Sequence, residues 1–123
     1  KPGKNYQVFE VNPYLRIIEP EISVIGRKVV AKFKLEQVTS NEVYRISLFA
    51  HSHIDVSNKL NIVNRTEELN RSITDGEAFE LSINLDDYTS TLVPGKSYYF
   101  RIGAQSHGSE TKYNYSASVQ LDI

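Results

Sequence analysis

The sequence predicts an all-β protein, built as an antiparallel sandwich of two sheets. First, apolar and polar residues alternate with a period of two along several short runs. Second, turn-forming pairs such as Asp75-Gly76 and Pro94-Gly95 separate these runs. Third, only residues 64–70 invite assignment as a helix, and they are polar on every side and too short to form one alone. Short strands between regular turns are typical of sandwiches and barrels.

Length and charge exclude several classes of function. The chain has 123 residues and a formal net charge of −1, which suits a single domain without a basic field. Nucleic-acid binding needs such a field, so we expect no nucleic-acid partner. The absence of Cys excludes disulfides and thiolate chemistry. No apolar run approaches the roughly 20 residues of a membrane-spanning helix, so this chain is predicted to contain no transmembrane segment.

The clearest strand prediction covers residues 43–52, where side chains alternate between the core and the solvent. The core-facing residues are Tyr44, Ile46, Leu48 and Ala50. The solvent-facing residues are Arg45, Ser47, Phe49 and His51. Further strands are predicted over residues 28–35, 59–63, 78–85, 97–106 and 113–122. In the last of these, Tyr115, Ala117, Val119 and Leu121 are predicted to share one face, and residues 64–70 are predicted to form an irregular surface loop.

The sequence pattern of residues 6–18 predicts one interrupted edge strand. Residues 6–11 and 15–18 have strand character, but Pro13 and Pro20 interrupt the pattern. Proline lacks an amide donor and is therefore confined to edge strands or bulges. We assign residues 1–19 to a linker with an N-terminal edge strand, and residues 20–123 to the sandwich.

Residues 92–104 resemble the corner and the sixth strand of fibronectin type III domains. The matching residues are Leu92, Pro94, Gly95, Tyr98, Phe100, Ile102 and Ala104. The resemblance implies an immunoglobulin-like sandwich of about seven strands, with the extra N-terminal edge strand added. It also implies a tyrosine corner, in which Tyr98 hydrogen-bonds back to the backbone. Fibronectin type III domains usually carry a tryptophan on the second strand; this chain has none, and Phe33 is the expected substitute.

Residues 11–16 look like the junction into the C-terminal domain of a family of Bacteroidetes cell-surface lipoproteins. The genes of that family lie beside outer-membrane glycan-uptake pairs of the SusC/SusD type. The resemblance implies a non-catalytic spacer or interaction domain in a glycan-acquisition assembly. It also implies an upstream β-domain in the same protein, and a lipid anchor upstream of this fragment that holds it at the outer-membrane surface. A glycan and an outer-membrane protein are the further candidate partners.

Catalytic and metal-binding groups are poorly supported. His51, His53 and Asp55 are candidate metal ligands, because residues two apart on a strand share a face. The alternative is two exposed histidines at a strand end. Asp86 and Asp87 are adjacent, so they do not face each other across a cleft as an acid/base pair would. We therefore predict no catalytic residues, no cofactor and no enzyme activity.

The alternative function is direct carbohydrate binding on the solvent face of the sheet that contains residues 43–52 and 97–106. Antiparallel pairing would bring Phe49 and His51 beside Tyr99 and Arg101, with Arg45 further along the same strand. Exposed aromatic rings offer rigid contact area and arginine offers fixed donors. Cross-strand aromatic pairs also stabilise sheets without any ligand, so both interpretations remain open. The turns at residues 36–42 and 106–112 are further candidates for recognition.

Overall fold

The computed structural model describes residues 15–37, 42–106 and 113–123, and it is a sandwich of two antiparallel sheets. The strands are β1 (Leu15–Ile25), β2 (Lys28–Gln37), β3 (Val43–His51), β4 (Val63–Arg71), β5 (Glu77–Asn84), β6 (Ser97–Ser106), β7 (Asn114–Tyr115) and β8 (Val119–Asp122). A 3-10 turn, Leu85–Asp87, follows β5. Among the residues described, no helix has the length and apolar character needed to cross a membrane.

The first sheet has the strand order β1-β2-β5, and the second has β4-β3-β6, with β7 and β8 both paired to the remaining edge of β6. This confirms the predicted all-β antiparallel sandwich. The hydrophobic core fills the space between the sheets, where the alternating residues of β2, β3, β5 and β6 meet. Phe33 is 2% exposed, and its ring lies 6.0 Å from that of Phe79. It therefore takes the core position expected for it on the second strand.

The tyrosine corner is present. The Tyr98 hydroxyl accepts a hydrogen bond of 2.9 Å from the backbone N–H of Val93. Leu92 is fully buried beneath the corner, and Gly95 has a φ of +86°, which a residue with a Cβ adopts only with strain. The motif over residues 92–98 thus folds as the resemblance implied.

Three connections share one end of the sandwich, which we call the corner end: residues 26–27, 52–62 and 85–96. The N–H of Leu85 donates to the carbonyl of Arg27 at 3.0 Å, and His51 pairs with Tyr99 near the start of β6. The first strand begins at the opposite end, where Leu15 pairs with Gln37. The corner end and the start of β1 are therefore separated by the length of the sheet.

The first strand crosses the position of Pro20 without ending. The register with β2 shifts between Ile18 and Glu21, and Glu19 has a φ of 51°. The proline therefore sits in a bulge on an edge strand, where no ladder donor is needed. As a result β1 continues across the boundary predicted between residues 19 and 20. The strand predicted over residues 6–11 lies outside the described residues.

Two sequence predictions are wrong at β4. Residues 64–70 form most of this strand, which pairs with β3, rather than an irregular loop. The strand predicted over residues 59–63 belongs instead, apart from Val63, to the preceding loop. The pattern misleads because β4 is an edge strand, and edge strands carry charged residues that discourage pairing with other chains.

The face predicted for the last strand is also wrong. Register pairs Gly103 with Tyr115 but Phe100 with Val119, so one extra residue lies between β7 and β8. A one-residue slip moves side chains to the other face of a sheet. Val119 and Leu121 pack on the core as predicted, whereas Tyr115 lies on the outer face beside Gly103.

Candidate functional site

The outer face of the second sheet carries an aromatic cluster, which we call the tyrosine face: Phe49, Gly103, Tyr113 and Tyr115. The two tyrosine rings are stacked, with centroids 5.7 Å apart and planes 20° apart. The Phe49 ring lies 5.6 Å from that of Tyr113, nearly edge-on, and 6.2 Å from that of Tyr115. Phe49 is only 2% exposed, whereas both tyrosines are half-buried.

Gly103 makes this packing possible. A Cβ at its position would lie 2.8 Å from Cε2 of Phe49, 3.0 Å from Cδ1 of Tyr113 and 3.2 Å from Cε1 of Tyr115. Glycine within a strand often marks a close approach of this kind. The three rings therefore occupy the space that a side chain would take.

Two arginines hold the edges of the cluster. Arg101 lies 4.6 Å from the centre of the Tyr115 ring and donates to the carbonyls of Ser116 at 2.7 Å and Val56 at 3.3 Å. Arg45 donates to Oε1 of Gln105 at 2.9 Å and lies 5.7 Å from the Tyr113 ring centre. These guanidinium groups are cation–π and hydrogen-bond partners of the protein itself. Part of their hydrogen-bonding capacity is thus used within the fold.

A row of polar side chains follows the tyrosine face on the β4 side. The hydroxyls of Ser47 and Thr66 lie 3.0 Å apart, and Thr66 donates to Oδ1 of Asn64 at 3.2 Å. Asn64 in turn donates to Oδ1 of Asn61 at 3.3 Å. A half-exposed tyrosine ring can contact the face of a sugar ring. Neighbouring amide and hydroxyl groups can form hydrogen bonds with the hydroxyl groups of the sugar.

The candidate ligand residues are brought together, but not all are accessible. Phe49 pairs with Arg101 and His51 with Tyr99, which confirms the predicted register. The expectation that Phe49 is exposed is wrong, because Tyr113 and Tyr115 cover it. Sequence reasoning missed Tyr113 and Tyr115 as surface residues. The available signal was Gly103, since a glycine in the middle of a strand leaves a gap that neighbouring aromatic rings fill.

An exposed apolar surface lies on residues 52–62, which we call the apolar loop. Ile54 is 55% exposed, Leu60 38% and Ile62 41%. The other large apolar side chains that are exposed in the described part of the chain, Ile25 and Tyr88, also belong to the corner end. Contiguous exposed apolar residues commonly mark interaction sites.

The apolar loop is firmly held. Ser57 and Leu60 exchange backbone hydrogen bonds of 2.8 and 3.2 Å, and Val56 is fully buried. The Asn61 amide donates to the carbonyls of Ser57 and Asn58, each at 3.0 Å. Further bonds come from the sheet, because the Asn58 N–H donates to the Tyr115 hydroxyl at 3.1 Å and the guanidinium of Arg101 reaches the loop. The loop therefore presents its apolar side chains from a fixed backbone.

The two histidines act as local hydrogen-bond acceptors where β3 ends. Nδ1 of His51 accepts from the N–H of His53 at 3.0 Å, and Nδ1 of His53 accepts from the N–H of Asp55 at 3.1 Å. The prediction that His51 and His53 share a strand face is wrong, since β3 ends at His51. No group of three potential metal-ligating side chains occurs within residues 15–37, 42–106 and 113–123. Most of the turns at residues 36–42 and 106–112 lies outside the described residues.

The comparisons with known proteins agree with the fold. A family model described as "Domain of unknown function (DUF3823_C)" matches residues 15–120. No curated protein sequence matches this chain significantly.

Three solved structures from Bacteroides and Parabacteroides species are similar over nearly the whole chain. One, from Bacteroides uniformis, is described as a "putative carbohydrate binding protein"; it is 29% identical with a TM-score of 0.85, covering 100% of this chain and 63% of that one. A DUF3823 family protein from Parabacteroides merdae is 22% identical with a TM-score of 0.79, covering 99% and 59%. Another from Bacteroides ovatus is 19% identical with a TM-score of 0.76, covering 99% and 61%. This chain thus spans about three fifths of each relative.

Proposed function

We propose that this chain, which belongs to the DUF3823_C family, is a non-catalytic interaction module of a bacterial cell-surface protein that takes part in glycan acquisition. The observation that carries the proposal is the apolar loop, in which Ile54, Leu60 and Ile62 are exposed on a fixed backbone. A preorganised apolar surface binds a partner without the cost of ordering a flexible segment. The glycan context is supported by the relative described as a carbohydrate-binding protein at 29% identity.

The position of the loop favours a separate protein as its partner. Leu15 lies at the end of the sandwich opposite the corner end, so the described part of the chain enters the sandwich away from the apolar loop. The solved relatives are longer than this chain, which is consistent with such a further domain. We propose that the loop docks onto an outer-membrane protein of the assembly, and that a lipid anchor upstream holds the whole protein at the membrane surface.

Site-specific crosslinking in the native bacterium tests this docking. A photo-crosslinking residue at Ile54 should capture one outer-membrane protein of the glycan-uptake system, and Ile62→Ser in the same protein should weaken that capture. The same crosslinker at Lys32, on the outer face of the first sheet, is the matched control. Identical products from both positions, or capture that is insensitive to Ile62→Ser, would contradict the proposal.

Direct carbohydrate binding by the tyrosine face is the second candidate. It is favoured by the two half-buried tyrosines beside the polar row that contains Asn64 and Thr66. Affinity electrophoresis through neutral polysaccharides should show retardation that Tyr113→Ala removes. Lys32→Ala, which truncates an exposed side chain on the outer face of the first sheet, should leave the retardation unchanged. If no neutral polysaccharide retards the protein, this candidate fails while the docking proposal stands.

A further inference from the structure

A cleft of about 360 Å³ opens between the rims of the two sheets at the corner end. It is separate from the tyrosine face, because it lies between β4 on one sheet and the end of β5 on the other. Its lining residues are Lys28, Arg65, Ser82, Ile83, Asn84, Asp87 and Tyr88. Polar and charged groups thus surround most of its mouth, with one aromatic ring among them.

The cleft carries an excess of positive charge. Arg65 pairs in register with Leu48, a core residue, so it leaves β4 on the inner side and reaches the rim of the sandwich. Within the described part of the chain, neither Lys28 nor Arg65 takes part in an ion pair. Asp87 is the one acidic residue in the lining. The neighbouring Asp86 lies outside the lining and forms an ion pair with Arg27 at 3.0 Å. Two cations therefore face a single carboxylate.

Tyr88 is held in place by its backbone while its side chain remains accessible. Its N–H donates to the carbonyl of Leu85 at 3.1 Å, and its own carbonyl accepts from Leu92 at 2.7 Å and Thr91 at 3.0 Å. The residue is nevertheless 36% exposed. A fixed aromatic residue beside cationic donors can contact the face of a sugar ring while the donors bind an acidic substituent.

We propose that this cleft binds a carboxylate-bearing sugar unit of an acidic polysaccharide. Tyr88 contacts the ring, Arg65 and Lys28 bind the carboxylate, and the Ser82 hydroxyl and Asn84 amide line the remainder. This proposal rests on the glycan-related role proposed above, but it uses neither the apolar loop nor the tyrosine face.

A titration with matched oligosaccharides tests the proposal. A short galacturonate oligosaccharide should shift the backbone amide resonances of Ser82, Asn84 and Asp87, whereas its methyl ester, which has the same ring without the charge, should bind at least tenfold more weakly. A carrageenan oligosaccharide, sulfated but free of uronate, separates carboxylate binding from general anion binding. Added salt should weaken the galacturonate complex, because surface charge pairs are screened.

Substitutions of the residues that line the cleft test whether the sugar binds there. Arg65→Gln should weaken galacturonate binding about tenfold, as expected for loss of one charge-assisted hydrogen bond. Asp87→Asn should strengthen binding, because it removes the one opposing charge, and this gain cannot arise from misfolding. Tyr88→Ala should weaken binding while Tyr88→Phe retains it. Lys59→Gln, on the apolar loop, is the matched charge control and should have no effect.

Several results would overturn the assignment: equal binding of the acid and its methyl ester, tighter binding of the sulfated oligosaccharide, or shifts centred on Tyr113 and Tyr115. Failure of galacturonate to shift any cleft amide would also overturn it. None of these results affects docking by the apolar loop, which the crosslinking experiment tests on its own.

Discussion

At the scale of single residues, Gly103 shows how closely the outer face of the second sheet is packed. Three aromatic rings converge on the space where its side chain would be, and one ring atom lies only 2.8 Å from the ideal Cβ position. The tyrosine face therefore depends on the absence of one methyl group. Its geometry is set by packing as strict as that of the core.

We expect Gly103→Ala to destabilise the protein by about 1–3 kcal/mol, since overpacking displaces rings or backbone. Urea unfolding measures the loss. Phe49→Leu removes the nearest ring atoms, so the double variant should lose less than the sum of the two single changes. Strict additivity would show that Phe49 does not limit the space at Gly103.

The hydroxyl group of Tyr98 is predicted to contribute to the stability of the protein. Tyr98→Phe removes the hydrogen bond to the Val93 N–H and should cost about 1 kcal/mol. Tyr99→Phe is the matched control, because its hydroxyl has no such bond within the described residues. Equal stability of the two variants in chemical unfolding would mean that the corner bond contributes nothing.

The interaction of Glu77 with Arg71 predicts that the stability of the protein depends on pH. Hydrogen bonds from Arg71, then one from the backbone of Thr74, lower the pKa of the Glu77 carboxyl from its ordinary value of 4.5. Because the folded-state pKa is depressed, the stabilisation is complete above the unfolded pKa and is lost as the pH falls through the folded pKa. Glu77→Gln should therefore reduce the acid-induced fall in Tm. An unchanged profile in Glu77→Gln would count against this contribution.

At the scale of elements, Arg101 links three parts of the second sheet. Its guanidinium joins β6 to the carbonyl of Ser116, which follows β7, and to the carbonyl of Val56 in the apolar loop. A single side chain thus fixes both the loop and the junction between the last two strands.

Arg101→Gln should cost about 2 kcal/mol, the usual scale for hydrogen bonds that involve a charged group. Hydrogen exchange should accelerate in the apolar loop and around Ser116 together. Arg45→Gln, on the same face, should leave exchange in the loop unchanged. If Arg101→Gln affects only one of the two regions, the linkage is wrong.

The alternation of apolar and polar residues predicted the strands in the middle of each sheet, but it failed for strands at the sheet edges. The inward residues of β2 and β6 were predictable because each strand has neighbours on both sides and one apolar face. In β3 the prediction of Tyr44 as a core residue is wrong, because a bulge between Val43 and Arg45 puts Val43 in the core and leaves Tyr44 half-buried. The strand β4 was not predictable from this pattern, because an exposed edge strand favours charged residues.

The bulge before β8 depends on Ser116, whose N–H and hydroxyl bond to the backbone of Ile102, and no local pattern reports such a pairing. The wrong expectation that Phe49 is exposed has the same cause. Without the extra residue before β8, Tyr115 was predicted to face the core, whereas in the structure it lies on the outer face against Phe49.

At the scale of the whole molecule, the exposed apolar side chains of the described residues gather at one end. Most of the buried apolar residues form one core between the sheets, and none of these exposed side chains belongs to it. They are better explained by contacts with another molecule than by contacts within the domain.

Ile54→Ser and Ile62→Ser should therefore change the free energy of unfolding by less than about 0.5 kcal/mol. Binding of a hydrophobic dye to the folded protein should fall in the double variant. Ile83→Ser, in the buried core, is the contrasting control and should destabilise strongly. A large loss of stability from the loop variants would place Ile54 and Ile62 in the fold rather than in an interface.

The extra residue between β7 and β8 has an evolutionary consequence. It divides the last part of the sheet into a surface segment that carries Tyr115 and a core segment that carries Val119 and Leu121. Substitutions in the first segment can alter the chemistry of the exposed face while the second continues to seal the core. Family members can thus vary the side chains of their outer sheet while they keep a stable domain.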